Sequence, residues 1–599
     1  MGAQPGEWED LSRFTIPIFD NLSSFECAER IAEHFSKISR EYPPLDKSKL
    51  PKRVTEKLLA PESDSKAPLL HEFEVFDKIL KANKPKAGVP GDLSTKLVAE
   101  FGPEITPPLT VLFNGIINSA KKGIAQWPES WKLEHGTPIP KVTNPQSEDD
   151  LRIIALTPFF SKVFEKFVVD WLMKYIKHLL DPKQFGGLKN NSTCHYMIEL
   201  INFVLYNQDY DLPIGVLLCT VDFSKAFNRQ NHMILITKLS DMGVPAWLLN
   251  LIMGFLSGRS MVVKYDGVTS SSKPLPGGTP QGTLLGLILF LVQINSCVND
   301  PVIPIGPTIT NPKKRFQPNK FHAKYVDDLT IGEAFNMRDT LVADPTRALP
   351  DPYHARTGLK LCPNRSQVYA DLNEIEKFAH ENEMELNVRK TNFMVLNPSK
   401  NYDFLPEYVS CDTEIVTVET MKLLGFVVSS NLSWRENTKS MTQKAYKRLW
   451  PIKRLKQRGA QIEDLIEVYT KQVRSVLEYG VPVWNSGITK DEEIAIERVQ
   501  KSFLHIVLGN DYDSYENALF VTELESLKAR RLQLCYNFAL KALKDDKHSH
   551  WFVQSNNSGP TTRRPKQKLK QPLFKLRRFQ NSPIPYLTRL INTGLDICN

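Results

Sequence analysis

Apolar residues along this chain keep two rhythms, and the change from one to the other marks its elements. Phe160, Val163, Phe164, Phe167, Val168, Trp171, Leu172, Tyr175 and Ile176 recur at the 3.6-residue spacing, which predicts an amphipathic helix over 160–178. Gly215 to Phe223 (GVLLCTVDF) is instead a continuous apolar run of strand length that stops at Asp222, the signal of a buried strand. Asp241-Met242-Gly243 closes the helix that follows. Residues 1–120 read as helical segments separated by polar, Pro-containing stretches such as Tyr42 to Lys52 and Lys84 to Asp92. Between 121 and 430 helix and strand patterns alternate; beyond 430 the pattern is helical again, over 462–479 and 490–508. SNNSGP at 555–560 reads as a linker, and no internal repeat is visible.

Composition narrows the classes. With 599 residues, 41% hydrophobic and 24% charged, the chain is long enough for several domains with real cores. No apolar run reaches the ~20 residues of a membrane helix; the nearest, Thr283 to Ile294, is short and carries Gln293. The opening MGAQPGEWED lacks a basic region followed by an apolar stretch, so no signal peptide is expected. Eight scattered cysteines without CxxC or zinc spacing read as reduced thiols, mostly core, in an intracellular protein of the nucleus or the cytoplasm. The net charge of +9 is unevenly placed: Lys439 to Arg458 and Thr561 to Phe579 each hold eight Lys/Arg and no acid, so the remainder is −7. Two such patches suit a phosphate-backbone partner, or else a solvated helix face and a basic tail.

Three islands carry chemistry. Asp222 ends an apolar strand, where a carboxylate can reach a ligand at the sheet edge or simply cap a helix. Tyr325-Val326-Asp327-Asp328 lies between two short apolar runs and suits a hairpin tip, whether as a metal-binding site or as a polar turn. Pro276-Gly277-Gly278-Thr279-Pro280-Gln281-Gly282 precedes an apolar helix, so its backbone could approach a ligand closely; such loops are also generic.

In this order, DFSKAF at 222–227, PGGTPQGTLLG at 276–286 and YVDD at 325–328 resemble motifs A, B and C of reverse transcriptases, in particular those of non-LTR (LINE-like) retrotransposons. TPIPKV at 137–142, LRIIALTPFFSKVFEK at 151–166, DPKQFGG at 181–187, NVRKT at 387–391, KLLGFVVSSNLSW at 422–434 and VLEYGVPVWNSGITKDEEIAIERVQKSFLHIV at 476–507 extend the resemblance over 70–510. It implies an α/β (α+β) right-hand polymerase, with a helical N-terminal extension (1–120), fingers and palm (121–430), a helical thumb (431–545) and a basic C-terminal tail (546–599).

The implied reaction is RNA-directed addition of deoxynucleotides to a primer 3′-hydroxyl by two magnesium ions ~3.5–4 Å apart, with manganese as a substitute. Asp222, Asp327 and the less essential Asp328 would hold the metal, with the backbone carbonyl of Phe223. Phe227 would exclude a ribose 2′-hydroxyl, Lys141 and Arg152 would grip the triphosphate, and Gln281 and Gly282 would lie against the nucleotide. Lys390 would protonate pyrophosphate, and Leu424 and Gly425 would form the primer grip. Lys444, Lys447, Arg448, Lys453 and Arg454 would face template–primer phosphates. The expected partners are an RNA template, a DNA primer and deoxynucleoside triphosphates, and no membrane. The rival readings are an RNA-dependent RNA polymerase, which Phe227 disfavours, and a catalytically weak or inactive retroelement-derived RNA-binding protein, which intact aspartates disfavour.

Overall fold

The computed structural model describes residues 17–19, 21–59, 67–82, 88–210, 212–298, 319–343, 359–362, 365–397, 404–410, 412–555 and 568–594. In chain order, the elements that position the site are strands β1 (Leu133–Pro140), β2 (Leu151–Leu156), β3 (Ile214–Val221), β4 (Arg259–Tyr265), β5 (Asn319–Tyr325), β6 (Asp328–Asn336) and β7 (Asn392–Leu396). The helices are α1 (Phe159–Ile176), α2 (Thr193–Asn207), α3 (Leu284–Ile294) and α4 (Arg435–Gln457). They belong to two compact units interleaved in sequence. One holds Met1–Pro182, Phe223–Asn299 and Glu374–Leu386; the other holds Lys183–Asp222, Asp300–Asn373 and Asn387–Asn599.

In the first unit β1 pairs antiparallel with β2, from His135↔Leu156 to Pro140↔Leu151, and parallel with β4. β1 is buried at every second residue over most of its length, as a strand with one covered face requires. α1 confirms the helical spacing read from the sequence: Val163, Phe164, Phe167, Val168, Trp171 and Leu172 are buried. Phe164 meets Phe113 at 4.7 Å and Trp127 at 5.1 Å, offset contacts that add specificity to apolar burial. The helices at the start of the chain include Ser24–Ser39, opened by a Ser23–Glu26 capping box, and Gly102–Lys121.

The second unit is built on a five-stranded sheet in the order Val416–Thr417, β7, β3, β6, β5. β3 lies in the middle and is buried almost throughout, which is why its sequence is a continuous apolar run rather than an alternating one. α2 shares a core with it through Tyr196, Leu200, Phe203 and Val204. The same core takes in Met441, Ala445, Leu449 and Ile452 of α4, leaving its basic residues on the exposed side.

Two expectations change. The helix read over 462–479 is Ile462–Val468 followed by a six-residue π turn, Tyr469–Arg474, before Ser475–Leu477. The stretch 546–599, read as a basic tail, is folded wherever it is described. Val553–Gln554 pairs with Leu569–Lys570, and the helix Pro583–Thr593 buries Ile584, Leu587, Leu590 and Ile591 in the core of the second unit. The Lys/Arg run ahead of that helix masked its apolar period. Most of the 555–560 linker lies outside the described residues.

Candidate active site

β3 stops after Val221 because Asp222 leaves the ladder: its carbonyl accepts from Asn387 N at 2.8 Å instead. β5 and β6 form a hairpin whose last pair is Tyr325↔Asp328, so Val326 and Asp327 are its two-residue turn. β3 and β6 run antiparallel with Val221↔Leu329 as their final pair. One step further along this register sets Asp222 level with Asp328, and Asp327 stands beside them at the tip. Carboxylates from two distant places in the sequence, 222 and 327–328, thus reach the same end of neighbouring strands, which lie ~4.8 Å apart. Asp222 and Asp327 are half-buried and Asp328 is exposed. Val326 has φ +60, a left-handed conformation that β-branched residues rarely adopt, so the turn is strained at the tip that bears Asp327.

Lys390 lies on the turn Val388–Lys390 just before β7, and its Nζ stands 3.7 Å from Asp222 Oδ2. An ammonium here offsets the mutual repulsion of neighbouring carboxylates. Among the described residues no three His, Cys, Asp or Glu side chains converge to hold a metal ion by themselves. The donor set nonetheless suits magnesium, which prefers oxygen, keeps several waters, and binds through one or two carboxylates plus substrate phosphates.

The remaining second-unit residues fall on two features. Leu424 (φ +48) and Gly425 (φ +86) form the tip of the hairpin Thr420–Leu423 and Phe426–Ser429, and Tyr479 Oη donates to Leu424 O at 2.7 Å. Two successive positive φ values are those of a tight hairpin turn, which glycine fills without cost. Lys444, Lys447, Arg448, Lys453 and Arg454 are all exposed on α4. Arg448 donates to Gln472 O at 2.6 Å, and Arg454 lies over the Trp450 ring at 5.2 Å.

In the first unit, Phe223 bridges Leu386, and Ser224 N donates to Glu385 O at 2.8 Å. Phe227 is half-buried, with its ring stacked on Phe290 of α3 at 4.8 Å. Its carbonyl accepts from Thr279 N at 2.8 Å, while Gly278 (φ +80) comes so close to Asn228 that an added Cβ would stand 2.9 Å from its carbonyl. The DFSKAF turn and the PGG loop are thereby clasped together. Gln281 O accepts from Ala155 N at 2.9 Å, which ties the loop to β2, and Gly282 (φ +119) also lies against Ala155.

The helix after the loop begins beside a buried acid that sequence reasoning passed over. Glu165 accepts from Leu285 N at 3.3 Å, and burial pushes its carboxyl up to about 7. Lys141 and Arg152 are exposed; Lys141 Nζ donates to Asp149 O at 2.9 Å, and Arg152 pairs with Ile139 across β1 and β2. The Asp149 carboxylate pairs with Lys225 at 2.7 Å.

A mixed sheet that presents paired acids at a hairpin and at the end of its central strand is an arrangement used by nucleotide polymerases. Residues 139–343 match the family described as reverse transcriptase (RNA-dependent DNA polymerase). It is similar to the RNA-directed DNA polymerase from the mobile element jockey of Drosophila melanogaster, 26% identical over 262 residues, covering 42% of this chain and 26% of the jockey protein. From the same fly, the protein named "Probable RNA-directed DNA polymerase from transposon BS" is 23% identical over 387 residues, covering 63% of this chain and 38% of its own. The matched stretch is well under half the length of either. Among solved structures, telomerase from Candida albicans in complex with a fragment of telomeric RNA overlaps 74% of this chain and 64% of its own, at a TM-score of 0.33 and 11% identity.

Proposed function

We propose that this chain is the polymerase part of a non-LTR retroelement protein, which extends a DNA primer along an RNA template with deoxynucleoside triphosphates. The observation that carries the reading is the register of β3, β5 and β6, which brings Asp222, Asp327 and Asp328 to one sheet end with Lys390 beside them. In this reading 121–430 are fingers and palm, 431–545 the thumb, and 1–120 an N-terminal extension. Asp222, Asp327 and the carbonyl of Phe223 would hold two magnesium ions, which would supply Lewis-acid stabilisation of the attacking and leaving oxygens. Asp328, exposed beside Asp327, would be the less essential third carboxylate of the metal site. Lys390 is placed to give a proton to pyrophosphate. Lys141 and Arg152 offer fixed cations to the triphosphate. Gln281 and Gly282 bound the nucleotide, and Phe227 excludes the 2′-hydroxyl of a ribonucleotide. Leu424 and Gly425 hold the primer end, and the exposed face of α4 follows template–primer phosphates. No helix among the described residues is long and apolar enough to cross a membrane.

The test is primer extension on poly(rA)/oligo(dT) with magnesium, comparing the natural chain with Asp327→Asn. Loss of a charge-stabilising group at a reacting centre typically costs about a hundredfold or more, so the variant should be nearly silent. Equal extension by both proteins would refute the assigned site.

A further inference from the structure

The strained turn at Val326 is held by a segment that is neither of its own strands. Lys183 to Gly187 runs beside β5: Gln184 bridges Lys324 in parallel, Phe185 N donates to Lys324 O at 2.8 Å, and Lys324 N donates to Lys183 O at 2.9 Å. Gln184 is 3% exposed, and its Oε1 accepts from Val326 N at 3.0 Å and from Gly186 N at 2.9 Å. Gly186 lies so close beneath the tip that an added Cβ would stand 2.5 Å from Val326 N and 2.8 Å from the Tyr325 carbonyl carbon. Both neighbours are backbone and cannot rotate away. One buried acceptor and one missing side chain therefore fix the backbone on which Asp327 sits.

The brace is locked from behind by the segment that follows the last long helix of the thumb region. Lys547 Nζ donates to Gln184 O at 3.0 Å and lies over the Phe185 ring at 4.5 Å. His548 stacks on His195 at 4.0 Å, and Trp551 Nε1 donates to Glu199 at 2.7 Å, the acid that also holds Lys183 at 3.4 Å. We propose that Gln184 and Gly186 are positioning residues for the catalytic hairpin, and that Lys547–Trp551 holds them in place, so that the post-thumb segment is a working part of the polymerase site. The inference rests on the reading of Asp327 as catalytic.

Two measurements on the full chain test it, one of which needs no activity. In Gln184→Leu the buried Gly186 N–H and the half-buried Val326 N–H lose their acceptor, so amide exchange of peptides covering 181–187 and 322–329 should rise while peptides elsewhere keep their protection. Its kcat for deoxynucleotide addition should fall about tenfold to a hundredfold, since small displacements of a reacting group are costly. Template–primer Kd should stay within about twofold, because binding and chemistry separate when only alignment is lost. Gln184→Glu keeps the acceptor oxygens and should restore both readouts. Natural exchange at 322–329 in Gln184→Leu, or a natural kcat, overturns the proposal. If Gln184→Leu loses protection throughout, Lys547→Met decides: raised exchange confined to 181–187 and 322–329 supports the brace, and unchanged exchange overturns it. A natural chain with no polymerase activity would instead sink the functional reading, while the exchange data would still report on the brace.

Discussion

Phe227, proposed to exclude a ribose 2′-hydroxyl, is placed by its packing. Its ring is half-buried against Phe290, so its position is set by the helix that follows the glycine loop rather than by its own turn. Replacing it by alanine should admit ribonucleotides: the ratio of kcat/KM for dNTP over rNTP should fall about a hundredfold or more, as expected when a site no longer excludes one hydroxyl. Discrimination unchanged in single-nucleotide addition assays would remove Phe227 from its role. The DFSKAF run made this residue legible, whereas its stacking partner, 63 positions later, was not.

Among the elements, α4 is the clearest case of a face whose purpose needs a partner. Met441, Ala445, Leu449 and Ile452 anchor it, and the outward side carries lysines and arginines together with Trp450, which is 63% exposed. Such a face suits phosphates for affinity and an aromatic ring for stacking. Lys447→Gln with Lys453→Gln should weaken template–primer binding and reduce the slope of log K against log salt by about two, close to one per lost phosphate contact. Filter binding across a salt series measures this, and an unchanged slope would detach α4 from nucleic acid. The acid-free basic run revealed the helix's charge from sequence alone. The opposite misreading occurred at 583–593, where a neighbouring basic run hid a buried helix. Charge is visible locally, but burial depends on what packs against it.

Across the whole molecule, acid should be the weak direction for the second unit. Burial, with help from Lys547 and against the pull of Asp545, holds His195 at about 4, and burial, His195 and Lys547 hold His548 at about 3, both below the ordinary histidine value of 6.5. Burial opposes charge on Glu199 too, yet hydrogen bonds from His550 and Trp551 and the charge of Lys183 hold it at about 2. Unfolding therefore takes up protons as pH drops below 6.5, and the stability these histidines confer, a few kcal/mol in all, is present above that pH and lost toward pH 3–4. Thermal melts from pH 7.5 to 4.5 should show Tm falling steadily, and His548→Phe, which keeps the stacking, should flatten the decline; a flat natural profile would contradict this.

The sequence by itself determined the apolar strand of β3, the helix α1, the acids at 222, 327 and 328 and the glycine loop, because each is written in contiguous residues whose spacing obeys local backbone geometry. Only the tertiary structure decided that Val221 pairs with Leu329, that Lys390 reaches Asp222, and that Gln184 and a segment more than 350 residues later support the hairpin. These contacts depend on strand register and on the packing of distant chain segments, which no local pattern encodes.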